Sequence, residues 1–475
     1  MADRVDAEPD LRRILHEVVD RIADYREGLP GHTVGAAASR DAVRRALGGD
    51  LPDGPASVAE VIAHLARAAE PGLTASSGPR YFGFVIGGSL DAALVADLLT
   101  SGWDQNAFNE AISPAAIAAE DVAGRWLKDL LGIPQTASVG FVTGGQAANT
   151  VGLAAGRWHV LRQHGWDVAR DGLFDAPRVR LVVGAERHAT VDRAARLLGL
   201  GERAIHEVPA LANGALDPEA LAELLTALGD GPTIVCAQAG NVNTGAFDDL
   251  AAITEAAHAA GAWVHVDGAF GLWAAASPRT AHLVAGLEHA DSWACDGHKW
   301  LNVPYDCGYA FVAHPASHRA AMEQRASYLV HADDARDQVD WTPEHSRRAR
   351  GFATYAALEE LGRRGVADLV TRCCRHAHAI ATRIGALPHA RTICVPQINQ
   401  GLVRFFDSRV TATEADHDAR TDVVMAAINT TGEAYFTGTT WRGIRCMRVS
   451  VSSWKTTESD VDRAVAAAAH VLAHL

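Results

Sequence analysis

The chain has 475 residues, 48% of them hydrophobic and 21% charged, which excludes disorder and leaves room for about two to four domains. Its 57 Asp and Glu outnumber 43 Lys and Arg for a formal net charge of −14, so nucleic-acid backbones and anionic membrane surfaces are repelled on average. Seven cysteines without CxxC spacing, a polar acidic N-terminus and no apolar run of the ~18–20 residues a membrane span needs predict a cytoplasmic protein.

In chain order, residues 11–27 carry Ile14, Leu15, Val18, Val19 and Ile22 at helical spacing with charges opposite, predicting an amphipathic helix. A second helix is predicted over 58–69, ended by Pro71 and Gly72. Both fall in an N-terminal arm, residues 1–89, that looks too thin to enclose a core and is expected to dock on a second subunit. Across residues 90–355, runs at 139–143, 179–183, 233–237, 263–266, 292–295 and 308–312 read as buried strands between Ala-rich helices. That alternation predicts a mostly parallel α/β sheet with helices on both faces. Residues 356–475 read as a small α+β domain: a long helix through 381, strands near 402–406 and 445–451, and a last helix over 458–475.

Four pieces could carry chemistry. Lys299, in Asp296-Gly-His298-Lys299-Trp300, follows a buried strand, where partial desolvation would make its amine a usable nucleophile; alone it could be a snorkelling surface lysine. Asp267 closes the apolar strand Trp263-Val-His-Val-Asp267, where a carboxylate needs a cation such as a protonated pyridine nitrogen; it could instead cap a following helix. Thr143-Gly144-Gly145-Gln146 runs from strand to helix, where bare amides can receive a phosphate or simply make a turn. His188 could stack on a flat ring or sit in the core. Cys373, Cys374, His376 and His378 share one helix and do not converge on a tetrahedral point, so no metal site is expected.

The order of these pieces, all at predicted strand ends of one sheet, resembles the group II pyridoxal 5′-phosphate (PLP)-dependent amino-acid decarboxylases, the family of the aromatic amino-acid and glutamate decarboxylases. The resemblance covers nearly the whole chain and rests on Thr143-Gly-Gly-Gln-Ala-Ala-Asn, Ala185-Glu-Arg-His-Ala-Thr-Val, His265-Val-Asp-Gly-Ala, Asp296-Gly-His-Lys-Trp-Leu and Tyr305-Asp-Cys. It implies the aspartate aminotransferase-like fold type I with a seven-stranded sheet, a homodimer with its site at the subunit interface, and decarboxylation of an L-amino acid to its amine.

Position by position, the resemblance makes Lys299 the Schiff-base lysine, Asp267 the partner of the cofactor ring nitrogen, His188 the ring-stacking residue and Ala269 the contact on the opposite ring face. Gly145, Gln146 and His298 resemble phosphate contacts, and Ser346 a contact offered to a neighbouring subunit's cofactor. Tyr328, in Arg325-Ala-Ser-Tyr328, resembles the tyrosine that protonates the carbanion; phenylalanine there is associated with aldehyde formation. Phe84, Val85, Asn106 and Phe108 correspond to the substrate pocket; Phe84 and Phe108 suit an aromatic or apolar side chain, while Asn106 adds a polar contact that leaves an acidic or hydroxylated substrate open. Asp296 stands where many relatives carry Asn, and a carboxylate beside a phosphate must be turned away or bonded to a donor. The alternatives are aldehyde synthesis, transamination or desulfuration on the same scaffold, and a PLP-binding protein without turnover.

Overall fold

The computed structural model describes residues 11–324 and 337–475. Three helices open the chain: α1 (Leu11–Gly28), α2 (Arg40–Leu47) and α3 (Val58–Ala69). A capping box between Ser57 and Glu60 starts α3. The sequence reading lacks α2, an eight-residue helix with no buried residue, whose apolar face is only the two short steps Ala42-Val43 and Ala46-Leu47 between charged residues. Arg80, 1% exposed, ties this region to the C-terminal part by donating to the carbonyls of Pro30, His32 and Glu433.

After α4 (Asp91–Trp103) and α5 (Pro114–Leu131) comes a seven-stranded sheet. Its strands are β1 (Ser138–Val142), β2 (Arg180–Gly184), β3 (Ile205–Val208), β4 (Thr233–Gln238), β5 (Trp263–Asp267), β6 (Ser292–Asp296) and β7 (Gly308–Val312). The spatial order is β1-β7-β6-β5-β4-β2-β3; β2 to β6 pair in parallel, and β7 runs antiparallel to both its neighbours. Among the connecting helices are α6 (Gly145–Gln163), α7 (Val168–Asp171), α8 (Ala189–Leu197), α9 (Pro218–Leu228), α10 (Leu250–Ala259) and, past β7, α11 (Pro315–Met322).

The sheet is covered on both faces because its central strands are apolar at nearly every position. Val182, Val235 and Val264 enter one core, while their neighbours Leu181, Ile234 and Trp263 enter another. Edge strand β3 escapes that sequence signal, since His206 and Glu207 interrupt a four-residue run.

The remaining chain forms α12 (Gly351–Gly385), bent at Gly362 (φ 57°, ψ 176°), then β8 (Ala390–Cys394), β9 (Gln400–Phe405), α13 (Glu414–Thr430), β10 (Thr437–Trp441), β11 (Ile444–Ser450) and α14 (Glu458–His474). The four strands pair antiparallel in the order β10-β11-β9-β8. No helix among the described residues is long and apolar enough to cross a membrane.

Candidate active site

The carboxyl ends of β2, β4, β5 and β6, together with the amino end of α6, surround a cavity with about 440 Å³ of empty space. Six predicted residues line it: Gly145, Gln146, His188, Asp267, Ala269 and Lys299. Asn149, Thr190, Gln238 and Asp296 line it as well.

Asp267 ends β5 at 6% exposure. Its donors are distant: Thr190 Oγ1 at 3.5 Å and the Ala269 amide at 3.4 Å, with no ion pair among the described residues. A buried carboxylate held so loosely suits a cationic N–H partner. Behind it runs a directed chain of hydrogen bonds. Trp263 Nε1 donates to Ser292 Oγ (2.9 Å), the Ser292 hydroxyl donates to His265 Nδ1 (2.8 Å), and His265 Nε2 donates to Asn149 Oδ1 (3.0 Å). Asn149 Nδ2 then donates to Thr190 Oγ1 (3.1 Å), whose hydroxyl is left to donate toward Asp267 or His188. Complete burial pushes the His265 pKa down to about 4, so this imidazole stays neutral.

His188 caps α8, its Nδ1 accepting from the Thr190 amide at 3.3 Å. The ring is open to the cavity but crowded elsewhere by protein; desolvation lowers its pKa, and the charges of Lys299 and Arg448 act in the same direction against Asp267 and Asp296. Ala269 follows Asp267 on the turn out of β5.

Lys299 Nζ lies 2.9 Å from Asp296 Oδ2. Asp296, 2% exposed at the end of β6, also accepts from the Gly145 amide (2.5 Å) and lies 3.4 Å from His298 Nε2. The Cys307 amide donates to His298 Nδ1 (3.0 Å), which leaves the His298 proton on Nε2, toward Asp296. Desolvation lowers the His298 pKa, and Tyr305 lies against that ring, tilted by 31° with centroids 4.4 Å apart. Asp296 is thus bonded to donors on three sides.

Phe84, Val85, Asn106, Phe108 and Ser346 do not line this cavity within one chain. Val85 is buried and Phe84 exposed on a segment running past Lys299; a Cβ on Gly87 would meet the Lys299 carbonyl oxygen at 2.0 Å. Asn106 instead accepts from the Arg347 amide (3.0 Å), and the Phe108 ring lies against His345. Ser346 is exposed, whereas its neighbour Arg347 is buried in a two-pronged pair with Glu120 (2.6 and 2.7 Å). Arg350 likewise turns inward to Asp306, so these arginines do not form a solvated face. Tyr328 lies outside the described residues.

The sequence reading missed Arg448 on β11, a guanidinium 8% exposed with Gln400 Oε1 at 3.5 Å and no carboxylate partner among the described residues. Burial drops its pKa to about 10. An arginine inside the otherwise apolar end of the run 445–451 was the available signal.

A lysine amine, a buried acid with no cation partner among the described residues, an imidazole face and a Gly-Gly helix entrance match what an aromatic phosphorylated aldehyde with a basic ring nitrogen requires. The comparisons agree. The pyridoxal-dependent decarboxylase conserved domain matches residues 41–407. Tryptophan decarboxylase 1 of rice (Oryza sativa subsp. japonica) is 28% identical over 94% of this chain and 90% of its own length. Phenylacetaldehyde synthase of a Rosa hybrid cultivar is 26% identical over 95% of this chain and 92% of its own. The crystal structure of Oryza sativa TDC with PLP and tryptamine superposes with a TM-score of 0.91 at 26% identity, covering 99% of both chains. With a family match over most of its length and a cavity whose groups suit that chemistry, this chain belongs to the pyridoxal-dependent decarboxylase family, and its cofactor is pyridoxal 5′-phosphate.

Proposed function

We propose that the protein decarboxylates an aromatic or apolar L-amino acid to the corresponding amine, as a cytoplasmic homodimer. The observation that carries this reading is that Lys299 and Asp267, from neighbouring strand ends, face one cavity beside His188 in a chain of the decarboxylase family. When bound, PLP supplies an electron sink for the pair left at Cα as carbon dioxide departs.

The chain's own residues divide the remaining work. The Lys299 amine would hold the cofactor aldehyde, and the Asp267 carboxylate would keep the ring nitrogen protonated. His188, with its lowered pKa, offers a neutral ring to stack on, and Ala269 leaves room on the other face. Gly145, Gln146 and His298 would serve the phosphate end, with Ser346 reaching a neighbouring subunit's cofactor. Tyr328 would deliver the proton to Cα. Arg448, a buried cation whose charge is felt at His188, would meet the substrate carboxylate.

The pocket would be completed by Phe84, Val85, Asn106 and Phe108. Two of these are aromatic, and the rice relative is a tryptophan decarboxylase, which together favour an aromatic substrate. Dimerisation is supported by Leu11, Leu15 and Val19 on α1 and Val61 and Leu65 on α3, each 50–59% exposed in a single chain. All seven cysteines are free, which suits a reducing compartment.

A second reading, oxidative aldehyde formation, is favoured by similarity to the rose phenylacetaldehyde synthase and opposed by tyrosine at 328. One experiment separates them. PLP-loaded protein is given each of the twenty L-amino acids and dihydroxyphenylalanine, and carbon dioxide, amine, aldehyde, ammonia and peroxide are measured. Carbon dioxide with stoichiometric amine is expected; aldehyde with ammonia and peroxide would install the second reading, and no release from any substrate would defeat both.

A further inference from the structure

We propose that Asp296 is a built-in anion that competes with the cofactor phosphate, so that this chain holds PLP more weakly than its Asp296→Asn variant would. The inference rests on the PLP reading above and deepens it at the phosphate end of the site.

The geometry is that of an occupied anion position. Helix α6 opens at Gly145, with Gly144 before it and no side-chain cap on its own segment. A long helix beginning in bare amides favours a negative charge there, and a phosphate approaching a Gly-Gly entrance would use those amides. Asp296 already takes one of them: its Oδ1 accepts from the Gly145 amide at 2.5 Å. The space the two glycines leave is also taken. A Cβ on Gly145 would lie 2.9 Å from Asp296 Oδ2, and one on Gly144 would lie 3.1 Å from Asp296 Oδ1 and 2.7 Å from the His298 ring.

The same carboxylate holds Lys299 Nζ at 2.9 Å and faces His298 Nε2 at 3.4 Å. Three of the groups assigned to PLP, namely the Gly145 amide, the Lys299 amine and His298, thus already have an anion to satisfy them. At 2% exposure Asp296 gains little from water, so these donors are what hold its charge. An incoming phosphate must take donors from Asp296 and stand next to a second negative charge in a weakly screened place. Asparagine keeps the shape and the Gly145 hydrogen bond, removes the charge, and adds an N–H that a phosphate can accept from.

The test measures binding, not turnover. Full-length wild-type protein and Asp296→Asn, both freed of cofactor, are titrated by absorbance with PLP and separately with pyridoxal, which has the aldehyde and ring but no phosphate. Asp296→Ser serves as a second variant, removing the charge by a different route if the Asp296→Asn protein does not fold. The expected result is PLP binding tightened about tenfold or more, with pyridoxal changed less than about twofold. PLP binding that is unchanged or weakened would overturn the proposal. Equal tightening of both compounds would overturn it as well, because the effect would then act through Lys299 and not through the phosphate. The titration reads affinity alone, so a protein that binds PLP but releases no carbon dioxide would sink the proposed activity and leave this result standing.

Discussion

Two buried charges, Asp267 lining the cavity and Arg448 whose charge is felt at His188, predict different kinetic signatures. Asp267→Ala removes the charge proposed to keep the cofactor ring nitrogen protonated and no proposed substrate contact, so kcat should fall by about 100-fold or more while KM shifts little. A matched loss in both parameters would contradict that role. For Arg448→Met the signature reverses. A buried guanidinium without a carboxylate costs folding free energy, so its removal should leave the melting temperature level or higher while raising KM by about tenfold or more. A lower melting temperature with unchanged KM would make Arg448 a structural residue only. The two also differ in how far the sequence reveals them. Asp267 and Lys299 are legible because each is a polar group at the end of an apolar strand, and each faces the cavity. Arg448 obeys a similar rule inside β11 but lies 149 positions after Lys299 in a different sheet, and sequence offers no means of bringing the two together.

At the scale of elements, those the sequence reveals are those buried on both faces or on one long stripe. Strands β1, β2, β4, β5, β6 and β7 are nearly continuous apolar runs, and each lies within a residue or two of its predicted place. By contrast β8 and β10 are half-buried strands, and α13 buries just Thr421, Val424 and Ile428, so none carries a strong period. The segment 344–350 is legible as arginine-rich but not as buried, because the partner of Arg347 is Glu120, 227 residues away on α5. That pair fastens the start of α12 to α5, with both side chains at 2% exposure or less. Glu120→Ala would strand a buried guanidinium and should cost about 3–5 kcal/mol in urea denaturation, whereas an exposed pair such as Arg383 with Asp462 should be worth about 1 kcal/mol or less. Similar costs for the two would mean the buried pair relaxes into water.

For the whole molecule, acidification sets two buried groups against each other. His265 has its pKa pushed down to about 4 by burial, below the ~6.5 of an unfolded histidine. The unfolded chain therefore binds its proton first, and this contribution, whole above pH ~6.5, shrinks by about 3 kcal/mol as pH falls toward 4. Asp248 does the opposite. Burial raises its carboxyl to about 6, outweighing the amides of Leu216 and Gln238 that favour the charged form. The folded chain then binds the proton first, and stability recovers by about 3 kcal/mol between pH 6 and 4. The two nearly cancel, leaving other histidines to set the slope. His159 and His376 both have pKa values lowered by burial, so the net trend is destabilisation on acidification. Melting temperature measured from pH 7.5 to 5 should decline gently in the wild type. In Asp248→Asn the opposing titration is gone and the decline should steepen, even if the variant starts from a lower value at pH 7.5. Parallel curves for the two proteins would show that the Asp248 carboxyl titrates in the folded chain as it does in the unfolded one.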